Sequence, residues 1–307
     1  SRRQRQMCIR DRVEGLSAFR GSKYVQSRIG DSFKKAEQFL KIGRTVLFSG
    51  TPCQIAGLKR FLRKEYDNLL TVDFICHGVP SPGVWREYLK EETIRLYDRK
   101  NRFLSHPYQK EEVCIEGISF RDKRLGWKKF SFTLHVSVAD RHGDKKSFLL
   151  SEPLDKNIFM RGFLADLYLR PSCYACPSKT FKSGSDITIG DFWGVQHVMP
   201  MIDDDKGVSV VMLNAIKGET YFRKIGLDSS IVGYEVVLRY NPSIEKSVSL
   251  TGKRKLFYSD TKATLDERIE NLCRLTYKQR LRMIFDIILG EKVKNFIKRH
   301  CLSKLES

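Results

Sequence analysis

Residues 45–82 read TVLFSGTPCQIAGLKRFLRKEYDNLLTVDFICHGVPSP, and this one stretch parses into two strand–loop–helix units. The apolar runs 45–49 (TVLFS) and 69–75 (LLTVDFI) suit buried strands, because short apolar runs bounded by glycine are typical of strands covered on both faces. Thr51-Pro52 after the first run and Ser81-Pro82 after the second set a capping hydroxyl before a proline at the first helical position. Helices are therefore expected through CQIAGLKRFLRKEY, with Ile55, Leu58, Phe61 and Leu62 as its apolar positions, and through GVWREYLKEETIRLY. Two consecutive units imply a right-handed crossover and parallel strands. Cys53 and Cys76 then sit at neighbouring strand carboxyl ends, the edge where open α/β sheets bind ligands and helix N-termini offer amides to anions. A thiol at such an edge is expected to lean toward thiolate.

Beyond this stretch the pattern changes. Residues 113–138 alternate apolar and polar positions, including Ile118, Phe120, Phe130, Phe132, Leu134 and Val136, with Asp122 to Trp127 as the turn of a β hairpin. Helical spacing over Asp155 to Leu169 stops at Pro171, and CYACP (173–177) follows. A strand is read in SDITIGDFWG (185–194), another in Val208 to Leu213, and a helix from near Lys217. The fold class expected is mixed α/β, or α+β: parallel strand–helix units, an antiparallel β insertion and a helical C-terminal tail. That tail, 251–307, carries 14 basic and 7 acidic residues, with apolar helical spacing at Ile284, Ile287, Ile288 and Phe296. It reads as an amphipathic helix packed on the body, or alternatively as a docking surface for an acidic protein or a membrane face.

The chain has 307 residues, 41% of them apolar and 30% charged, enough for one large or two small domains with their own cores. Its longest apolar stretch near the C-terminus, Met283 to Leu289, is broken by Asp286 and falls far short of the roughly 20 residues of a bilayer span. Arg2 to Arg12 (RRQRQMCIRDR) resembles a translated adapter oligonucleotide from a sequencing library and is set aside. The expected division is 1–12 as artefact, 13–250 as the functional domain and 251–307 as the basic tail. Without the adapter-like residues the formal net charge falls from +20 to about +16, still strongly basic. No nucleic-acid module accompanies that charge, and acidic residues are interleaved with the basic ones, so steering of anionic cofactors or an acidic protein is the better use for it. Seven cysteines remain, an odd number with no visible secretory signal, which argues for a reducing, cytoplasmic setting.

Four of those cysteines, Cys53, Cys76, Cys173 and Cys176, form a set of soft ligands that suits either a zinc ion or an iron–sulfur cluster. A redox dithiol fits less well, because that motif follows a strand and opens a helix, whereas CYACP follows a helix and Arg170-Pro171. Cys114, Cys273 and Cys301 sit in periodic apolar contexts and read as core or surface thiols.

SGTPCQIAGLKRFL (49–62), DFICHGVPSP (73–82), CYACP (173–177) and SDITIGDFWG (185–194), in this order, resemble the signature blocks of the coenzyme F-420 hydrogenase/dehydrogenase beta subunit family. RGSKYVQS (20–27) fits as a shorter block, and the likeness spans about two thirds of the chain, from Gly21 to Asn214. It implies a flavin- and iron–sulfur-dependent oxidoreductase that passes electrons between ferredoxin or deazaflavin-type carriers and an acceptor, with a non-covalent FAD beside a 4Fe-4S cluster. The four cysteines named above become the cluster ligands. Ser22, Lys23, Gly50, Thr51, Gln54, His77 and Gly78 become flavin contacts, and Asp191 and Trp193 border its ring. The bland alternatives are a locally satisfied loop histidine at His77, a solvated Lys23, a turn residue at Asp191 and a core aromatic at Trp193. For the whole chain, the alternative is a non-redox binding protein with a structural four-cysteine zinc site. Family members usually carry a ferredoxin-like segment ahead of the RGSKY block, so a truncated reading frame is expected. Relatives of the GDFWG type occur near polysaccharide-assembly genes, which leaves a partner oxidoreductase subunit or a polysaccharide-assembly enzyme as the acceptor.

Overall fold

A computed structural model of the chain describes residues 13–101, 113–139 and 145–274. The adapter-like residues 1–12, Cys301 and the tail beyond residue 274 lie outside them. Helix α1 (Ser32–Lys41) leads into strand β1 (Val46–Ser49), helix α2 (Pro52–Leu62), strand β2 (Leu69–Phe74) and helix α3 (Pro82–Asn101). The start of α2 follows its sequence: the Thr51 N–H donates to Gln54 Oε1 at 3.0 Å, closing the first turn, and Pro52 occupies a position needing no amide donor. It ends where Arg63 adopts a left-handed conformation, φ 57°. Ile55, Leu58 and Leu62 are buried, while Phe61 is more exposed and leans on Phe33.

The chain then leaves this layer for an antiparallel sheet of strands β3 (Val113–Asp122), β4 (Ser131–Ala139) and β5 (Lys145–Pro153), in that order. The expected hairpin is thus two thirds of a three-stranded sheet. Strand β5, KKSFLLSEP, presents few alternating apolar side chains of its own and is held by β4, against which all nine of its residues are in register. Helix α4 (Ile158–Leu164) is shorter than the helical spacing to Leu169 suggests, because Asp166 turns left-handed at φ 57°. Leu169 then runs back to bridge Pro80.

Strand β6 (Ile187–Asp191) inserts beside β2, followed by the short helix α5 (Val195–Val198), strand β7 (Ser209–Leu213) and helix α6 (Ile216–Ile225). The second sheet has order β1-β2-β6-β7; its first three strands are parallel and β7 runs against β6. Helices α7 (Tyr234–Tyr240), α8 (Gly252–Ser259) and α9 (Leu265–Cys273) complete the described chain. The largest core joins Trp85 and Tyr88 of α3, Phe120 and Phe132 of the β3–β5 sheet and Phe159 of α4 to Phe257, Leu265 and Ile269 of α8 and α9. Each such side chain contributes roughly 1.5–3 kcal/mol on burial. The first part of the basic tail, through α8 and α9, is therefore packed into the body, whereas the amphipathic spacing at Ile284, Ile287, Ile288 and Phe296 lies outside the described residues. Among the described residues no helix is long and apolar enough to cross a membrane.

Candidate functional site

The parallel strands deliver their carboxyl ends to one edge, and the four cysteines meet there. Cys53 lies in the first turn of α2, Cys76 two residues past β2, Cys173 within the 3-10 turn Pro171–Ala175 and Cys176 just after it. Backbone bonds stitch the last two strand-end segments together: Ser81 N–H donates to Tyr168 O at 2.7 Å and Arg170 N–H to Val79 O at 2.8 Å. Val79 N–H then donates to Cys173 Sγ at 3.4 Å. All four cysteines line one narrow cavity of about 50 Å³, with His77 and Gly78 on the same wall and Phe74, Ile75, Phe181 and Ile244 supplying apolar surface. Among the described residues no three His, Cys, Asp or Glu side chains stand close enough to grip a single ion as the chain is folded here.

The electrostatics of this cavity reverse one sequence expectation. Cys76 does not lean toward thiolate: burial pushes its thiol up from the ordinary 9.0 to about 12, against the pull of the Lys179 ammonium, and the other three thiols add to the rise. Burial likewise raises Cys173 despite the Val79 N–H. At both thiols desolvation is the largest influence and outweighs the neighbouring cations and amide. Lys179 is the cation of the site. Its Nζ donates to Cys76 O at 2.6 Å and Ser243 O at 2.5 Å, and burial holds its own pKa below the usual lysine value although the thiols oppose this. It lies three residues past Cys176, and only the fold reveals that its side chain returns to Cys76.

The candidate flavin residues do not form one set. Thr51 and Gln54 are buried and serve the first turn of α2; Thr51 Oγ1 lies 3.1 Å from Cys53 Sγ, and Gln54 Nε2 donates to Ser27 O and Oγ, each at 3.2 Å. Gly50 packs on Gln54, and a Cβ on Gly78 would meet Leu169 at 2.8 Å, so both glycines serve close packing. Ser22 and Lys23 are exposed, with Lys23 Nζ donating to Arg20 O at 2.7 Å. His77 Nε2 lies 2.7 Å from Asp166 Oδ1 and its ring contacts Phe163.

Asp191 and Trp193 belong to a second cluster beside the cavity. The last register pair of β2 and β6 is Phe74↔Ile189, so Asp191 ends β6 beside the segment in which Cys76 follows β2. Arg121, from β3 in the other sheet, pairs through Nη1 with Asp191 Oδ2. Its guanidinium lies over the rings of Phe130, Trp193 and Trp127 at 4.4, 5.0 and 5.8 Å. Tyr24 borders this pair, and burial raises its phenol pKa, Arg121 lowering it and Asp191 raising it. Sequence reasoning missed Arg121, Gln26 and Lys179. Gln26 Nε2 reaches Thr51 Oγ1 at 3.1 Å and Cys53 Sγ at 3.5 Å, while Arg170 donates to its Oε1. The outlying cysteines read as expected within the described residues: Cys114 is exposed and Cys273 packs on the main core.

A larger cavity of about 260 Å³ opens at the opposite, amino edge of the sheet, lined by Lys59, Arg63, Lys64, Tyr66 and Lys217 among others. It holds none of the candidate residues, and size alone does not outweigh the converging cysteines.

The sequence model of the family described as the C terminus of the beta subunit of coenzyme F420 hydrogenase/dehydrogenase matches residues 43–232. That span exceeds half of the chain and includes every cysteine of the cavity together with Arg121, Asp191 and Trp193, but not the block Arg20–Ser27. No curated protein matches.

Proposed function

Because the chain belongs to the family formed by the C-terminal part of coenzyme F420 hydrogenase/dehydrogenase beta subunits, we propose that it is the flavin- and iron–sulfur-bearing component of a multi-subunit oxidoreductase, moving electrons between a ferredoxin or deazaflavin-type carrier and a partner acceptor. The family supports the redox role. One observation carries it: four cysteines from three separate chain segments line one cavity at the ligand-binding edge of a parallel sheet. The donor chemistry fits a 4Fe-4S cluster, for which four thiolates are the common ligand set, and the apolar walls suit a group shielded from water. A cluster held there supplies one-electron transfer, and an FAD beside it exchanges electrons singly or in pairs.

The chain's own residues have definite parts in this reading. Cys53, Cys76, Cys173 and Cys176 hold the cluster. Lys179 offsets the negative charge of the thiolates, and the Val79 amide steadies Cys173. His77, Asp191 and Trp193 face the flavin ring, with Ser22 and Lys23 placed for its phosphates. Thr51, Gln54, Gly50 and Gly78 act by positioning the two strand-end loops. The formal net charge of about +16 without the adapter-like residues suits attraction of an acidic carrier, so transfer rates fall as ionic strength rises. Rates indifferent to salt count against that part.

The test is an anaerobic visible spectrum with iron and zinc analysis of the full chain reconstituted with iron, sulfide and FAD, wild type against Cys173→Ala. Flavin bands with a broad absorbance that dithionite bleaches, weakened in the variant, support the proposal. A colourless protein holding one zinc replaces it with a structural site.

A further inference from the structure

Arg121 is the most heavily invested side chain that the sequence reading left unused. Its side chain is only 4% exposed, yet Nε–H and one Nη2 edge have no hydrogen-bond partner, the ion pair with Asp191 being made through Nη1 alone. Buried donors left unpaired are uncommon and costly, so each asks for an acceptor. The two orphaned nitrogens share one side of the guanidinium. That side is the parallel fork with which arginine grips two adjacent acceptors in one plane.

What covers the fork narrows the ligand. The Arg121 guanidinium lies 5.0 Å from the centroid of the Trp193 ring, which meets Trp127 at 4.9 Å in a tilted contact and is itself 44% exposed. Flat aromatic surface therefore already lines this guanidinium, and of its three rings Trp193 is the one with solvent to move into. Asp191 already balances the arginine's charge, which favours a neutral acceptor pair on an aromatic ring over a second anion. The cluster stands one strand from Cys76.

Resting on the redox reading above, we propose that Arg121 Nε and Nη2 anchor the pyrimidinedione edge of a flavin-type ring, with Trp127 and Phe130 as fixed aromatic walls and Trp193 as the displaceable cover. FAD and a deazaflavin carrier share that edge. Arg121 is thus a positioning residue for the ring, and Asp191 holds it in register.

Trp127 and Trp193 are two of only three tryptophans in the chain, so the site reports on itself by fluorescence. The full chain is titrated with FAD, with riboflavin and with 5-deazariboflavin, reading ligand fluorescence and tryptophan emission. Wild type is expected to bind with a change in tryptophan emission, and Trp193→Phe to bind with that change reduced to what Trp127 alone reports. Arg121→Lys, which keeps charge but not the fork, is expected to weaken riboflavin binding roughly 10- to 100-fold, the range for losing one bidentate arginine contact. Arg121→Met gives the same loss where circular dichroism shows it folded. Stronger retention of FAD or of the deazaflavin identifies which one the site holds. Unchanged affinity in Arg121→Lys, or an emission change undiminished in Trp193→Phe, overturns the anchor while leaving the redox proposal intact. A wild-type chain that takes up the iron cluster but no flavin-type ring overturns the anchor and the flavin together, and one that takes up neither overturns the whole redox reading.

Discussion

The thiol of Cys76 offers the sharpest physical test, because its environment sets both the size and the pH course of its reactivity. Burial pushes it up to about 12 from the ordinary 9.0, which leaves about a thousandfold less thiolate than an ordinary thiol at any pH well below 9. A more basic thiolate is also a better nucleophile, with a Brønsted coefficient of about 0.4–0.5, which recovers a little under half of that loss on a logarithmic scale. The net expectation is a reaction with an aromatic disulfide reagent about 30- to 60-fold slower than that of an unperturbed cysteine, before any steric hindrance. Anaerobic labelling of the cofactor-free full chain, with each cysteine followed by mass spectrometry, measures this directly. Cys53, exposed in the first turn of α2, is the internal comparison. At Cys76 the rate should keep climbing about tenfold per pH unit through pH 10, well past the point at which ordinary thiols level off. Lys179→Met should slow Cys76 further, since the ammonium is the one group there that favours thiolate. A Cys76 rate that levels off near pH 9, or that matches Cys53, refutes the desolvated pocket from which the cofactor site is argued.

Lys179→Met also leaves Cys76 O and Ser243 O without their donor; with the relief of no longer burying an ammonium set against it, urea unfolding should show a loss of about 1–3 kcal/mol. In Gly190→Ala the new Cβ would lie 2.5 Å from Ile75 Cδ1 and 3.1 Å from its Cβ, and only the first can rotate away. Overpacking of about 1–3 kcal/mol is expected in denaturant titrations, with faster labelling of Cys76 as Ile75 shifts. Asp73 is buried, and that burial raises its carboxyl pKa even though Ser183 and Thr188 donate to it at 2.6 and 2.5 Å. Its folded value thus exceeds the unfolded value near 3.9, so its contribution is complete below that pH and is lost as pH rises through the folded value. Unfolding series between pH 4 and 7 should therefore show Asp73→Asn gaining on the wild type as pH rises; parallel curves would exclude a raised carboxyl.

Local signals carried the frame of the molecule further than its chemistry. Thr51-Pro52, Ser81-Pro82 and the apolar runs before them are written within a few residues of the structures they cause, and β1, α2, β2 and the start of α3 fall where they indicate. The convergence of Cys53 and Cys76 follows from two consecutive units of one hand. Strand β5 was illegible because its pairing with β4, not its own pattern, makes it a strand. Arg121 was hidden by its place at the end of an alternating run, where a charge reads as the start of a turn; its partner Asp191 is 70 residues away. The same holds for His77 with Asp166, 89 residues apart. Side chains that meet only through sheet assembly leave no periodicity to read.

The strand order has a consequence for how the chain is made. Strand β2 lies between β1 and β6, yet β6 begins only at Ile187, long after β2 ends at Phe74. At about 5–20 residues per second of synthesis, the bare side of β2 waits roughly 6–23 s for its neighbour. During that interval LLTVDF is an open edge strand with a thiol two residues beyond it, the kind of template that recruits other chains. The β3–β5 sheet is synthesised within this interval, as the intervening chain, so the time at which β2 is sealed is set by how fast the ribosome reaches Ile187.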